Sequence, residues 1–270
     1  MSKTPQTVAS ADGTPIAYEV TGDGPPVILV GGALDDRTSV AALAATLASR
    51  VTAIAYDRRG RGGSGDNADA FAVRPEIEDL AALIAVAGGR ASLFGHSSGG
   101  VLALEAAVRG LPVERLAVYE PPFVVGGLRP LPAEGTAERI RTLIAEERRD
   151  DAVHLFLTEE ASVPAETVDG LRAGPAWPFL ARLAHTLPYD VAVCGPDLAV
   201  PVDRLATVAV PTLTMAGGAS PAWLPAAAQA VAEAIPGASY LTVEGQDHGV
   251  LRDPQALRDP LLNFIAPACT

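Results

Sequence analysis

Ser92-Leu93-Phe94-Gly95-His96-Ser97-Ser98-Gly99-Gly100 is the stretch on which the fold turns. A short apolar run, Ala91 to Phe94, leads into Gly-x-Ser-x-Gly, and a helical pattern, Ser98 to Val108, leads out of it. A serine on so sharp a turn between strand and helix is held in a strained backbone conformation. The residues two before and two after it must be small, so that strand and helix can approach each other. The spacing predicts a strand–turn–helix with the Ser97 hydroxyl at its tip, a candidate nucleophile. The bland alternative is a glycine-rich turn without chemistry.

Outward from this stretch, short Val- and Ile-rich runs recur, punctuated by Gly or Pro: Val27 to Val30, Val51 to Tyr56, Leu116 to Tyr119, Pro211 to Ala216 and Tyr240 to Val243. They read as buried strands. Between most of them lie helical patterns, Val40 to Leu47, Glu76 to Val86 and Leu224 to Ile235. The alternation implies an α/β chain with a mainly parallel sheet covered by helices on both faces. Ile16 to Val20, followed by Gly22-Asp23-Gly24, reads as an antiparallel strand and turn. From Pro121 to Pro211 the alternation stops and helical patterns follow one another: Thr136 to Arg148, Asp151 to Leu157, Ala165 to Arg172, Trp177 to Leu187. A block of about ninety residues between two strands of one sheet is read as a helical cap over the strand ends. The expected division is a core, first part, over 1–121, a cap over 122–205, and a core, second part, over 206–270. The last helix, Gln255 to Phe264, contains Pro260 and is expected to kink or split there.

Composition narrows the function classes. The chain has 270 residues, enough for one large core, and 49% of them are hydrophobic. Twenty basic against 32 acidic residues leave a net charge of −12, so no basic field attracts nucleic acid or anionic membrane. The lysine is Lys3, near the start of the chain, which disfavours Schiff-base and P-loop chemistry. Cys194 and Cys269 lie far apart without metal-ligand spacing and fit a reduced, cytoplasmic protein. No signal-like apolar region precedes Gly13, and no stretch of 18 apolar residues suggests a membrane span. Nothing in the sequence indicates an oligomeric state.

The motifs together resemble the α/β-hydrolase family over most of the chain. Val27 to Gly32 resembles the family's third strand and oxyanion loop, Asp57-Arg58-Arg59-Gly60-Arg61-Gly62-Gly63-Ser64 its Asp-x-Arg-Gly-x-Gly-x-Ser turn, and Gly245-Gln246-Asp247-His248 the loop carrying the catalytic histidine. The resemblance implies an α/β-hydrolase fold with the cap inserted between strands 6 and 7, hydrolysis of a small molecule, Ser97 as nucleophile and His248 as general base, and no cofactor or metal.

His248 also follows the strand Ser239 to Val243, which is where a loop could meet Ser97. His96 competes but, next to the nucleophile, reads as structural or pocket-lining, and His154 and His185 as cap residues. The sequence departs from the commoner family pattern at Ser220, where an Asp is expected after the seventh strand. A serine cannot supply the charge that stabilises an imidazolium. Glu120, at the end of Leu116 to Tyr119, is the candidate acid, a place that haloalkane dehalogenases and certain lipases also use. Asp197, Asp203 and Asp247 stay as alternatives. The expected oxyanion donors are the backbone N–H groups of Ala33 and Ser98. Gly32, Leu34, His96, Phe123, Phe156, Trp177 and Tyr189 are candidate substrate-binding residues, with Val124 and Phe179 as further apolar candidates.

Two functions remain in view. One is a serine hydrolase cleaving a carboxylic ester, lactone or related acyl bond of a small hydrophobic substrate, with thioesterase, carbon–carbon hydrolase or cofactor-free perhydrolase as variants set by the pocket. The other is a non-hydrolytic or ligand-binding protein of the same fold, motivated by Ser220.

Overall fold

In the computed structural model of the chain, which describes residues 5–68 and 71–267, the Val- and Ile-rich runs become strands of an eight-stranded sheet. Its strands are β1 (Gln6–Ala9), β2 (Pro15–Thr21), β3 (Pro26–Val30), β4 (Thr52–Tyr56), β5 (Ala91–His96), β6 (Val113–Tyr119), β7 (Thr212–Gly217) and β8 (Ser239–Val243), in the spatial order β1-β2-β4-β3-β5-β6-β7-β8. β2 pairs antiparallel with both β1 and β4, and the remaining pairs are parallel. The helices are α1 (Arg37–Leu47), α2 (Val73–Val86), α3 (Ser98–Val108), α4 (Thr136–Ala145), α5 (Arg149–Leu155), α6 (Ala165–Arg172), α7 (Trp177–Leu183), α8 (Leu187–Cys194), α9 (Val202–Leu205), α10 (Trp223–Ala234) and α11 (Gln255–Ile265). Lys3 and Cys269, weighed above, lie outside the described residues.

Successive residues of a strand face opposite sides, so a strand covered on both faces is apolar throughout. In β3, Ile28 and Val30 pack into the core shared with α2, α3 and α10, while Val27 and Leu29 pack into the core shared with α1 and α11. The fold is the α/β-hydrolase fold expected from the sequence. Of the two outcomes expected at Pro260, the split does not occur: α11 runs through it as one helix. Its Leu257, Leu261, Leu262 and Ile265 are all buried, at about 1.5–3 kcal/mol each, which outweighs the one backbone hydrogen bond that proline removes.

From α4 to α9 the chain is helical between β6 and β7, and α5 passes directly into a π-helical turn, Phe156–Glu160. These helices have their own apolar centre, with Ile140, Val153, Val168, Trp177 and Leu187 buried. Leu34, from the loop after β3, is part of that cluster and only 4% exposed. Among the described residues, no helix is long and apolar enough to cross a membrane.

The register sets the rest. His96 of β5 lies beside Tyr119 of β6, Tyr119 beside Met215 of β7, and Gly217 beside Val243 of β8. The C-terminal ends of four parallel strands therefore form one edge, the place where open α/β sheets bind ligands.

Candidate active site

Ser97 stands between β5 and α3 at φ 56° and ψ −127°. The glycines around it have the steric role expected of them. A Cβ on Gly95 would lie 2.4 Å from the carbonyl oxygen of Gly99, and a Cβ on Gly99 would lie 2.4 Å from those of Val30 and Gly31. Glu120 (φ 48°) and Leu34 (φ 60°) share the left-handed backbone region with Ser97. Such residues cost about 1–3 kcal/mol each and persist where the surroundings over-determine them. Here the determinants are visible: Ser97 N–H donates to Tyr119 O at 2.9 Å and Glu120 N–H to Met215 O at 3.0 Å, extending the ladders past the strand ends.

The Glu120 carboxylate is fully buried and accepts two hydrogen bonds. Gly217 N–H, at the end of β7, donates to Oε1 at 2.8 Å, and His248 Nδ1 donates to Oε2 at 2.7 Å. The carboxylate is thus pinned toward the place where the commoner family pattern has an Asp. Ser220, which occupies that sequence position, has its hydroxyl buried without a hydrogen-bond partner. Of the alternative acids, Asp247 turns its carboxylate to Arg252 and Gly249 N–H. The bond from Nδ1 leaves Nε2 as the basic nitrogen of His248.

The His248 loop is anchored through its backbone. Tyr119 Oη donates to Asp247 O at 2.8 Å, and His96 Nε2 donates to His248 O at 2.9 Å. His96 lies under His248, ring centroids 4.8 Å apart, with its Nδ1 at ion-pair distance, 3.7 Å, from Asp35. Desolvation lowers the basicity of His96, but the Asp35 carboxylate outweighs it and the ring titrates above the ordinary imidazole value. At His248 desolvation dominates, the neighbouring His96 charge adds to it, and the Glu120 bond opposes it, so this ring titrates below the ordinary value. His96 is therefore a buried support rather than a wall of the pocket. His154 and His185 bond to Asp169 and to the Gly60 carbonyl, away from Ser97.

The loop after β3 is held by its own side chains and by buried arginines. Asp35 Oδ2 accepts Gly32 N–H at 2.9 Å, which removes that donor from any role toward substrate. No protein acceptor among the described residues takes the N–H of Ala33 or of Ser98. Arg58 and Arg61, both buried, donate to the carbonyls of Gly31 and Gly32, and both bond Asp190 of α8, which also accepts from Ser98 Oγ at 2.8 Å. The sequence singles out the Asp57 turn but carries no signal for these partners.

Residues 19–259 match the model of the alpha/beta hydrolase family. The chain belongs to the α/β-hydrolase family of enzymes. An α/β hydrolase from Sphaerobacter thermophilus DSM 20745 is 52% identical, with 96% of this chain and 99% of that one covered and a TM-score of 0.91. The uncharacterized hydrolase YraK of Bacillus subtilis (strain 168) is 34% identical over 100 residues, 36% of this chain, and the match spans 37% of that relative's length. An esterase from Rhodococcus sp. ECU1013 shares the fold at 22% identity and a TM-score of 0.70, over 98% of this chain and 99% of its own.

In this α/β hydrolase, a cavity of about 50 Å³ adjoins Ser97, lined by Ala33 and Ser98 on the sheet side and by Phe156, Glu160, Val191 and Cys194, among others, on the helical side. Of the aromatic candidates, Phe156 lines it and Phe123, Trp177, Phe179 and Tyr189 do not. Phe123 packs into the core with α3 and lines a neighbouring hollow instead. Trp177 is in the centre of the helical segment, with its indole N–H on Asp150 at 2.9 Å. Tyr189 is buried with its hydroxyl on Asp66 and its ring edge-on to Phe71. Phe123, Trp177 and Tyr189 are all buried, in packing rather than in this cavity. Leu34 likewise joins the helical core. Gly32 is close to Ser97, since a Cβ on it would lie 3.0 Å from that of Ser97.

Proposed function

We propose that this α/β hydrolase cleaves a carboxylic ester, lactone or related acyl bond of a small hydrophobic molecule through an acyl-enzyme on Ser97. His248 Nε2 takes the Ser97 proton as the hydroxyl attacks the carbonyl carbon, and Glu120 holds the ring and balances the imidazolium. The oxyanion is met by Ala33 N–H and Ser98 N–H. His248 then protonates the leaving oxygen, and water, activated by the same ring, releases the acid. The observation that carries this reading is the 2.7 Å bond between His248 Nδ1 and a fully buried Glu120, at the end of the strand paired with the one that leads into Ser97 on its strained elbow.

Helices α4 to α8 act in this reading as a cap, since the π-helical turn and α8 supply Phe156, Glu160, Val191 and Cys194 to the cavity. The cavity's small volume and apolar lining support a short acyl group, and the charge balance supports a small-molecule substrate rather than nucleic acid. The two cysteines, far apart in sequence, support a cytoplasmic setting. The test is p-nitrophenyl ester hydrolysis across acyl lengths by the parent and by Ser97→Ala. The parent should turn over the short esters, and Ser97→Ala should lose about a thousandfold or more in kcat. Equal rates in both would contradict the reading.

A further inference from the structure

The peptide unit that ends in the Ala33 N–H begins with the Gly32 carbonyl, and that carbonyl is bound by a buried guanidinium. Arg61 Nη1 donates to Gly32 O at 2.5 Å and to Asp35 O at 3.0 Å, while its Nη2 donates to Asp190 Oδ2 at 2.8 Å. The other Asp190 oxygen accepts from Arg58 Nη1 at 2.7 Å and from Ser98 Oγ at 2.8 Å, and Arg58 is closed by Glu76 at 2.6 and 2.9 Å. Arg58, Arg61, Glu76 and Asp190 are each 2% exposed or less, so two positive and two negative groups balance in a buried site. With Gly32 N–H occupied by Asp35, Ala33 N–H is the donor this loop has left beside Ser97.

We propose that Arg61, held by Asp190, is a positioning residue for the oxyanion hole: it fixes the plane of the Gly32–Ala33 peptide and polarises it so that Ala33 N–H is a stronger donor. This rests on the assignment of Ser97 as nucleophile. A cation on the carbonyl end of an amide strengthens its N–H, and in a low-dielectric site the effect is not screened by water. The same carboxylate fixes the Ser98 side chain, so one residue of α8 sets both halves of the hole. Burial alone would raise the Asp190 carboxyl, but Arg61 and Arg58 outweigh it and keep it ionised. The benefit appears when charge develops on the substrate oxygen, and therefore in kcat more than in KM.

The test compares the parent, Arg61→Gln, Arg61→Lys, Asp190→Asn and Arg59→Gln. Arg59 is a matched control: it is equally buried and bonded to Asp79, yet it does not touch the loop. The readouts are kcat and KM on a short p-nitrophenyl ester, the rate of Ser97 labelling by a fluorophosphonate, the Ki of a trifluoromethyl ketone, and Tm. Arg61→Gln should lower kcat and the labelling rate by about 10–100-fold with KM within about threefold, and the ketone Ki should rise in step. Arg61→Lys should recover part of the loss. Arg59→Gln should lower Tm but keep kcat within about twofold. If Arg61→Gln fails to fold, Asp190→Asn, which keeps the shape and removes the charge, carries the same expectation. A loss confined to KM, or matched by Arg59→Gln, overturns the proposal while leaving the nucleophile in place. A parent that neither labels at Ser97 nor turns over ester removes the nucleophile assignment and this proposal with it.

Discussion

The strand ends and the helical segment build the site by different means. At the ends of β5 and β6 each functional group is placed by its own neighbours: Ser97 by glycines two residues away, Glu120 by a backbone ladder that continues past Tyr119. The helical segment contributes through contacts between distant residues, as in Asp190 to Arg58 and Ser98, or Phe156 over the cavity at Ser97. In the proposed reaction the first half sets the chemistry, and it is rigid because it is part of a ladder buried on both faces. The second half sets shape and charge around that chemistry. Substitutions in the two halves should therefore break different quantities.

The largest effect is expected at the strand ends. Glu120→Gln keeps the size of the side chain and its acceptor for Gly217 N–H but loses the charge opposite His248. It should lower kcat by about 10²–10⁴-fold, with KM little changed and Tm close to that of the parent. A collapse of Tm would instead make Glu120 a structural ion-pair partner. On the helical side, Phe156→Ala enlarges the cavity without touching the reacting groups. The preferred acyl chain should lengthen, with kcat/KM on the longer esters rising by about 10-fold or more, since the lost ring leaves room for several methylenes and one alone is worth about that factor. An unchanged acyl profile would separate Phe156 from the acyl site. The smallest effect belongs to the centre of the helical segment: Trp177→Phe removes the bond to Asp150 and should leave kcat/KM within about twofold while lowering stability by about 1 kcal/mol. A large kinetic loss there would mean that the helical core reaches the chemistry after all.

The same contrast governs what is legible in the sequence. The inner strands, the elbow and the pairing of Glu120 with His248 are readable because each is a local pattern: an apolar run, a glycine spacing, an acid at a strand end. β1 is not, because its four residues, Gln-Thr-Val-Ala, are mostly exposed and show no buried alternation. The pocket is only partly legible. Phe123, Phe156, Trp177 and Tyr189 are alike in composition, and only the packing of helices against one another decides that Phe156 meets the cavity while the others fill cores. Asp190 gives no sign at all. Its partners lie 92 to 132 residues away, and an acidic residue in a helix reads as a solvated face until the fold buries it against two arginines.

The central claim is that Ser97 is a nucleophile activated by a His248 held by Glu120. Fluorophosphonate labelling followed by peptide mapping, with the rate measured from about pH 5 to 8, tests it most directly. His248 must be neutral to accept the proton, and its surroundings hold it below the ordinary imidazole value of about 6.5. The account predicts one adduct, on Ser97, forming at a rate that falls through a single ionisation below that value as pH drops, and a much slower rate in Glu120→Gln. No adduct, an adduct on another residue, or a rate indifferent to Glu120→Gln would contradict it.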